Sequence, residues 1–184
     1  MLRHLNKLIF GCSIAVSSTA TADTFYLQLQ DRLDRPADGY CIDVLGAGRN
    51  FRTDMPLTAH NCKPGNAPDG RVQMRSDGTL YMPAFDACVT PMGVNQTLLP
   101  GAAVMLRPCD DGAAFAQPAA LKQFEQRRDG TLRMGDGTLC LTVGTQSGPT
   151  FSASHAWRAL FVDTCSAEAA DRQRWQFIPP FGTG

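Results

Sequence analysis

Six cysteines fall into three pairs, and this spacing constrains the fold more than any other feature of the chain. Cys41 and Cys62 are 21 positions apart, Cys88 and Cys109 are also 21 apart, and Cys140 and Cys165 are 25 apart. Beyond each pair comes a related run: Val72-Gln73-Met74, Phe124-Glu125-Gln126 and Trp175-Gln176-Phe177. These runs begin 52 and then 51 positions apart. A threefold internal repeat of about fifty residues follows. A unit of that size cannot bury a core by itself, so the three must share one.

The N-terminus reads as an export signal. Arg3 and Lys7 supply a positive start, Leu8 to Val16 a short apolar stretch, and Ala20-Thr21-Ala22 a small-residue cleavage site. Residues 1–22 are therefore expected to be removed, leaving a single domain over 23–184 that is secreted or periplasmic. A rival reading places a lipid-modified cysteine at Cys12. The apolar run is too short to span a bilayer and no later one is long enough, so no transmembrane segment is expected. Without Cys12, six cysteines remain. An even number in an exported chain reads as a disulfide framework, with fifteen possible connectivities. Equivalence of the repeats selects Cys41–Cys62, Cys88–Cys109 and Cys140–Cys165. Each bond closes a loop of about twenty residues, contributing roughly 3 kcal/mol on a chain-entropy argument. No C-x-x-C occurs, which leaves thioredoxin-like chemistry and a zinc ribbon without support.

The chain carries 17 basic and 17 acidic side chains. Two of the basic ones, Arg3 and Lys7, lie in the signal. A surface this close to neutral argues against nucleic acid, which requires a basic stripe.

Helical periodicity is almost absent, while short alternating runs recur between Gly, Pro and Asp. Asp-Gly, a strong hairpin-turn signal, begins at 38, 69, 77, 111, 129 and 136. Aligning the repeats predicts four strands in each. The first has 25–29, 40–45, 57–61 and 71–75, and the second 79–82, 87–90, 103–107 and 123–127. The third has 131–134, 138–143, 159–163 and 174–178. Ser76-Asp77-Gly78-Thr79-Leu80 and Arg128-Asp129-Gly130-Thr131-Leu132 mark the joins. The third repeat departs from the others in a long Ser- and Gly-containing segment, Thr145–Ala156, read as a loop. The expectation is an all-β chain of twelve strands with one disulfide per repeat. With pseudo-threefold symmetry that is a β-trefoil, a six-stranded barrel closed by three hairpins, which leaves no exposed edge.

Gln173-Arg174-Trp175 carries the Gln-x-Trp signature of the ricin B-type β-trefoil lectins, and the chain resembles that family over residues 23–184. In the other repeats Gly70-Arg71-Val72 and Lys122-Gln123-Phe124 stand in its place, keeping the hydrophobic third residue. The resemblance implies that Val72, Phe124 and Trp175 pack the barrel, each burial contributing about 2–3 kcal/mol.

It also implies where a sugar would sit. A sugar site needs a carboxylate to accept hydrogen bonds from hydroxyls and a ring for the apolar sugar face. The family places an Asp two residues after the first cysteine of a repeat, and Cys41-Ile42-Asp43 keeps it. Thr90 and Thr142 replace it in the other repeats, implying loss of those sites. The family's stacking ring lies two residues before the second cysteine, where His60, Arg107 and Asp163 stand. Asp69 and Gly70 occupy positions where the family uses Asn and Gln. Asp43, His60 and Asp69 are thus the candidate carbohydrate-binding residues, with His155 and Trp157 as additional contacts. Bland readings stand beside these: Asp43 as a rim cap, His60 as a solvated side chain, Trp157 as a cover for the barrel end. Asn95-Gln96-Thr97 satisfies the N-glycosylation pattern.

A second, local resemblance concerns Trp175-Gln176-Phe177-Ile178-Pro179-Pro180-Phe181-Gly182, which is similar to the end of the lectin-like subunits of cytolethal distending toxins. The extended N-terminal segment with which such subunits wrap partners has no counterpart between Asp23 and the first strand. Two functions follow as expectations: a secreted lectin that binds glycans at the first repeat, or a cell-binding subunit that needs a protein partner in a toxin-like complex. Catalysis is not expected. There is no His-Glu-x-x-His, Gly-x-Ser-x-Gly or Walker loop, and Gly46-Ala47-Gly48 reads as a turn. No cofactor or metal is expected.

Overall fold

The joins between repeats are built by one local device. At Asp77-Gly78-Thr79 the Asp77 carboxylate accepts from the Thr79 amide at 2.9 Å and its hydroxyl at 2.8 Å. Asp129 does the same for Thr131, at 3.0 and 2.7 Å, and Asp136 for Thr138, at 3.0 and 2.6 Å. The side chain thereby mimics a backbone turn. Gly78 and Gly130 have φ of +85° and +86°, a region L side chains rarely adopt. Of the six Asp-Gly pairs, these three form such turns, whereas Asp69-Gly70 lies in a 3₁₀ turn over Pro68–Gly70.

The computed structural model describes residues 23–65, 67–95, 97–112 and 121–180. The export signal with Cys12, Gln96 of the glycosylation pattern, and Phe181-Gly182 of the C-terminal resemblance lie outside the described residues. Twelve strands form within them. The first repeat holds β1 (Phe25–Leu29), β2 (Tyr40–Asp43), β3 (Thr58–Asn61) and β4 (Arg71–Met74). The second holds β5 (Leu80–Met82), β6 (Ala87–Pro91), β7 (Ala102–Arg107) and β8 (Glu125–Gln126). The third holds β9 (Leu132–Met134), β10 (Leu139–Pro149), β11 (Ala156–Thr164) and β12 (Trp175–Ile178).

Strand pairing runs in a ring. β1 pairs with β4 through Phe25↔Val72, and β4 with β5 through Gln73↔Tyr81. A single bridge, Thr79↔Gln123, leads toward β8, which pairs with β9 through Glu125↔Arg133. Thr131↔Arg174 leads on to β12, and Leu27↔Phe177 returns to β1. Three antiparallel hairpins project from this ring: β2–β3, β6–β7 and β10–β11. The three disulfides tie the two strands of each hairpin together, Cys41–Cys62, Cys88–Cys109 and Cys140–Cys165. One core unites the repeats: Val72, Phe124 and Trp175 are all buried in the same cluster. The Trp175 indole donates to the Leu141 carbonyl at 2.9 Å, which satisfies its one polar atom.

The decayed signature positions keep their structural role by other means. Gln173 is buried; its amide donates to the Thr164 carbonyl at 2.9 Å and the Thr142 hydroxyl at 3.0 Å. In the second repeat Lys122 is equally buried and donates to the Pro108 and Cys109 carbonyls at 2.7 and 2.8 Å. In the first, Gly70 leaves room for the Tyr26 ring, which a Cβ at 70 would approach to 3.0 Å. Tyr26 accepts from the Ala67 amide at 2.9 Å.

The segment Thr145–Ala156, expected as a loop, is strand over 145–149 and at Ala156, and a loop only over 150–155. β10 and β11 continue past a bulge between Val143 and Ser147, with pairs Ser147↔Arg158, Gly148↔Trp157 and Pro149↔Ala156. Its glycine and serines read as loop residues, but the partner strand supplies alternating Trp157 and Arg158 to hold the ladder. Trp157 therefore lies on a strand.

Candidate functional site

The lengthened hairpin of the third repeat reaches the first. β11 pairs with β3 through Trp157↔His60, Arg158↔Ala59 and Ala159↔Thr58, while β3 pairs with β2 through Cys41↔His60 and Asp43↔Thr58. Side chains alternate across a strand, so Asp43, Thr58, His60 and Trp157 share one face. Two elements far apart in sequence thus contribute to a single cleft of about 160 Å³, lined by Asp43, Thr58, His60, Lys63, His155 and Trp157 among others.

An anchor holds this arrangement. Arg158 is buried and donates to the Asp34 carboxylate at 2.7 Å and to the Gly144 and Thr145 carbonyls at 2.8 and 2.6 Å. Asp34 also accepts from Ser147 at 2.6 Å and from the Tyr40 hydroxyl at 2.9 Å. Burial works against ionisation of Asp34, but the hydrogen bonds from Ser147, Arg158 and Tyr40 outweigh it and hold the carboxyl well below its ordinary range. Asn61 accepts from the Ala156 amide at 3.1 Å, and Arg35 donates to the Ser154 carbonyl at 2.9 Å. The tip of the third hairpin is thereby fixed against the first repeat at both ends.

At the floor of the cleft lie Asp43 and Lys63, and the ammonium is shared with a second carboxylate, Asp69, beneath it. Asp43 and Asp69 are each 5 % exposed. Lys63 lies 2.9 Å from Asp43 Oδ2, and its Nζ also donates to the Asp69 carboxylate. Burial pushes the Asp43 carboxyl up to about 7 even against the attraction of Lys63. Burial works against the Lys63 charge as well, but the Asp43 and Asp69 carboxylates together outweigh it and raise the ammonium above its ordinary value. Asp69 does not line the cleft; it acts there through Lys63.

The aromatic wall is layered. His60 is buried, not solvated, and its Nδ1–H donates to the Asn61 carbonyl at 2.9 Å. Burial lowers its pKa and keeps the ring neutral. His155 packs edge-on against it with ring centroids 5.4 Å apart. Outermost are Trp157, 40 % exposed, and Phe151, fully exposed at the hairpin tip. The Trp157 indole lies over Gly148, where a Cβ would come within 3.3 Å of its Nε1. The structure thus brings Asp43, His60, His155 and Trp157 together and ties Asp69 to them. Sequence reasoning missed Lys63 and Phe151. The only sequence signal for Lys63 is its position next to Cys62.

Among the described residues, the equivalent positions of the other repeats are engaged differently. Thr90 and Thr142 turn their hydroxyls back onto the Cys88 and Cys140 carbonyls at 3.1 and 2.8 Å. Arg107, at the His60 position, donates to Asp111 at 2.7 Å, and Asp163 accepts from the Thr164 amide at 2.8 Å. Among the described residues no group of three or more His, Cys, Asp or Glu could hold a metal ion, and no helix is long and apolar enough to cross a membrane.

No protein-family model matches the chain, and no curated protein does. Solved structures match over most of the chain. The chain shares its fold with β-trefoil lectins. The agglutinin from Abrus precatorius is 21% identical with a TM-score of 0.60, over 90% of this chain and 51% of that one. The β-trefoil lectin of the Vibrio vulnificus hemolysin/cytolysin, solved with N-acetyl-D-lactosamine bound, is 15% identical with a TM-score of 0.51, over 85% of this chain and 94% of that one. Cytolethal distending toxin from Actinobacillus actinomycetemcomitans is 15% identical with a TM-score of 0.54, over 85% and 91%. At these identities the likeness is one of fold.

Proposed function

We propose that this chain is a secreted or periplasmic carbohydrate-binding protein, a ricin B-type β-trefoil over residues 23–184 once the signal peptide 1–22 is removed. Its glycan site is the cleft between the first- and third-repeat hairpins. The observation that carries the reading is the β3–β11 pairing, which sets His155 and Trp157 above Asp43 and His60. Asp43 and Lys63 accept from and donate to adjacent sugar hydroxyls at the floor. Trp157 and His155 take the apolar face of the ring, a role expected of His60 from sequence but better served by the exposed side chains above it. Binding to one shallow cleft gives a millimolar to micromolar Kd, about 4–8 kcal/mol. The reading is one of recognition without catalysis. It is supported by likeness to a lectin domain solved with a disaccharide bound.

The test is a glycan array probed with the oxidised protein and with Asp43→Ala. Binding by the parent and silence from the variant are expected; binding of equal strength by both would refute the assignment of the cleft. A second reading, a cell-binding subunit acting with a protein partner, rests on the likeness to cytolethal distending toxin. Silence from both proteins, with a partner recovered in a pull-down, would favour it.

A further inference from the structure

Beside the cleft lies a second depression that the proposed site does not use. It encloses about 470 Å³ and is lined by Arg35, Ala37, Asp38, Asn61, Cys62, Pro64, Ser154 and His155. His155 is the one residue common to both linings. Along β3 and the residues after it, His60 and Lys63 line the first cleft while Asn61, Cys62 and Pro64 line the second. Side chains of this stretch thus face different depressions, and the two meet at His155 of the hairpin tip.

The dividing wall is rigid. Its backbone is held by Arg35 at Ser154 and by Asn61 at Ala156, and its imidazole is packed on His60. A preformed wall spares a ligand the entropic cost of ordering it. The charge of each depression is also settled internally. Lys63 is shared by Asp43 and Asp69, and Arg35 is paired with Asp38 through two hydrogen bonds of 2.9 and 2.6 Å. Neither cation is left to attract an acidic ligand, whereas these groups keep lone pairs and N–H groups that suit hydroxyls.

We infer that the second depression is a further sugar subsite, and that the whole site binds a neutral oligosaccharide of two or more residues laid across His155. This rests on the carbohydrate-binding reading of the first cleft. One residue occupies the cleft over Asp43 and Lys63, and the next crosses the imidazole to meet Asn61 and Arg35. Linking the two contacts raises their combined affinity without any new strong contact, because the second is made at high effective concentration.

The experiment is an array of neutral and sialylated glycans one to four residues long, read with the full oxidised chain, Ala37→Trp and Asp43→Ala. Ala37 is exposed and lines the second depression only, so tryptophan there obstructs that space without removing a contact. The parent is expected to bind neutral di- and trisaccharides at least tenfold more tightly than the matching monosaccharides, and not to gain from sialic acid. In Ala37→Trp the gain with length should disappear while monosaccharide binding stays. Equal affinity for one and several residues in the parent, or an undiminished gain in Ala37→Trp, would overturn the subsite. Monosaccharide binding abolished by Asp43→Ala in either case would leave the first cleft standing. Silence of the parent on every glycan would overturn both.

Discussion

Two residues beyond the first cysteine of a repeat, Asp43 and Thr142 occupy the same place in the same frame. Thr142 is turned inward: its hydroxyl donates to Cys140 and accepts from Gln173, which itself braces the Thr164 carbonyl. Asp43 is matched by Lys63, a cation from the loop beyond Cys62, and lies under side chains from another repeat. The third repeat spent its signature glutamine on self-satisfaction. The first lacks that glutamine, having Gly70, and Asp43 is free of such a brace. Lys122 makes the contrast sharper, since in the second repeat a buried lysine serves backbone carbonyls where Lys63 serves carboxylates. A symmetric frame thus becomes a site where a carboxylate faces a cleft instead of the backbone, and where a lengthened neighbouring hairpin covers it.

Swapping the lysines for methionine tests this contrast most strongly. Lys63→Met strands two buried carboxylates, and a loss of about 3–5 kcal/mol is expected in denaturant unfolding near pH 8. That loss should shrink toward pH 5, as Asp43 takes up a proton. Lys122→Met should cost about 1–3 kcal/mol, for two carbonyls left without a donor, and vary little over the same range. Equal, pH-independent losses would erase the distinction.

Next in size is the effect on binding. Trp157→Ala should weaken glycan binding by about tenfold to a hundredfold, roughly 1.4–2.7 kcal/mol. Gly148→Val should weaken it less, by pushing the indole off the hairpin. Neither should shift the unfolding midpoint much, because Trp157 is partly exposed. Calorimetric titration reads the first effect and thermal melting the second.

How legible this was in the sequence differs by region. Cysteine spacing and the Asp-Gly-Thr joins are local signals, and they gave the strands and the disulfide pairs. The core role of Val72, Phe124 and Trp175 was implied by the family resemblance, and all three are buried in one cluster. Asp43, His60, His155 and Trp157 could be picked out singly, but their meeting depends on the β3–β11 pairing. That pairing was hidden because Gly144, Ser147, Gly148 and Pro149 look like loop. Lys122 looked like decay of a signature, since a lysine is rarely found fully buried; its carbonyl partners come from 13 and 14 residues away. Lys63 is marked only by its place next to Cys62, because its role is defined by two carboxylates on separate elements.

A gentler effect follows from the pH dependence. The Asp43 carboxyl is raised to about 7, above its value of about 3.9 in an unfolded chain. Its contribution to stability is therefore full below about pH 4 and lost as pH rises through about 7. Asp43→Asn should flatten that part of the stability profile. Glycan binding should run the opposite way, strengthening from about pH 6 to 8 as the carboxylate forms and can accept hydroxyls. The smallest expected effect is that of Thr142→Ala, about 1 kcal/mol of stability from the lost hydroxyl, with glycan binding unchanged.

The chain has two tryptophans, Trp157 at the cleft and Trp175 in the core, so its intrinsic fluorescence can report directly on whether the site spans two repeats. Titration with a neutral glycan drawn from the array should shift the emission of the parent, and the shift should vanish in Trp157→Phe. A shift that survives intact in Trp157→Phe would put the ligand elsewhere and contradict the two-hairpin site.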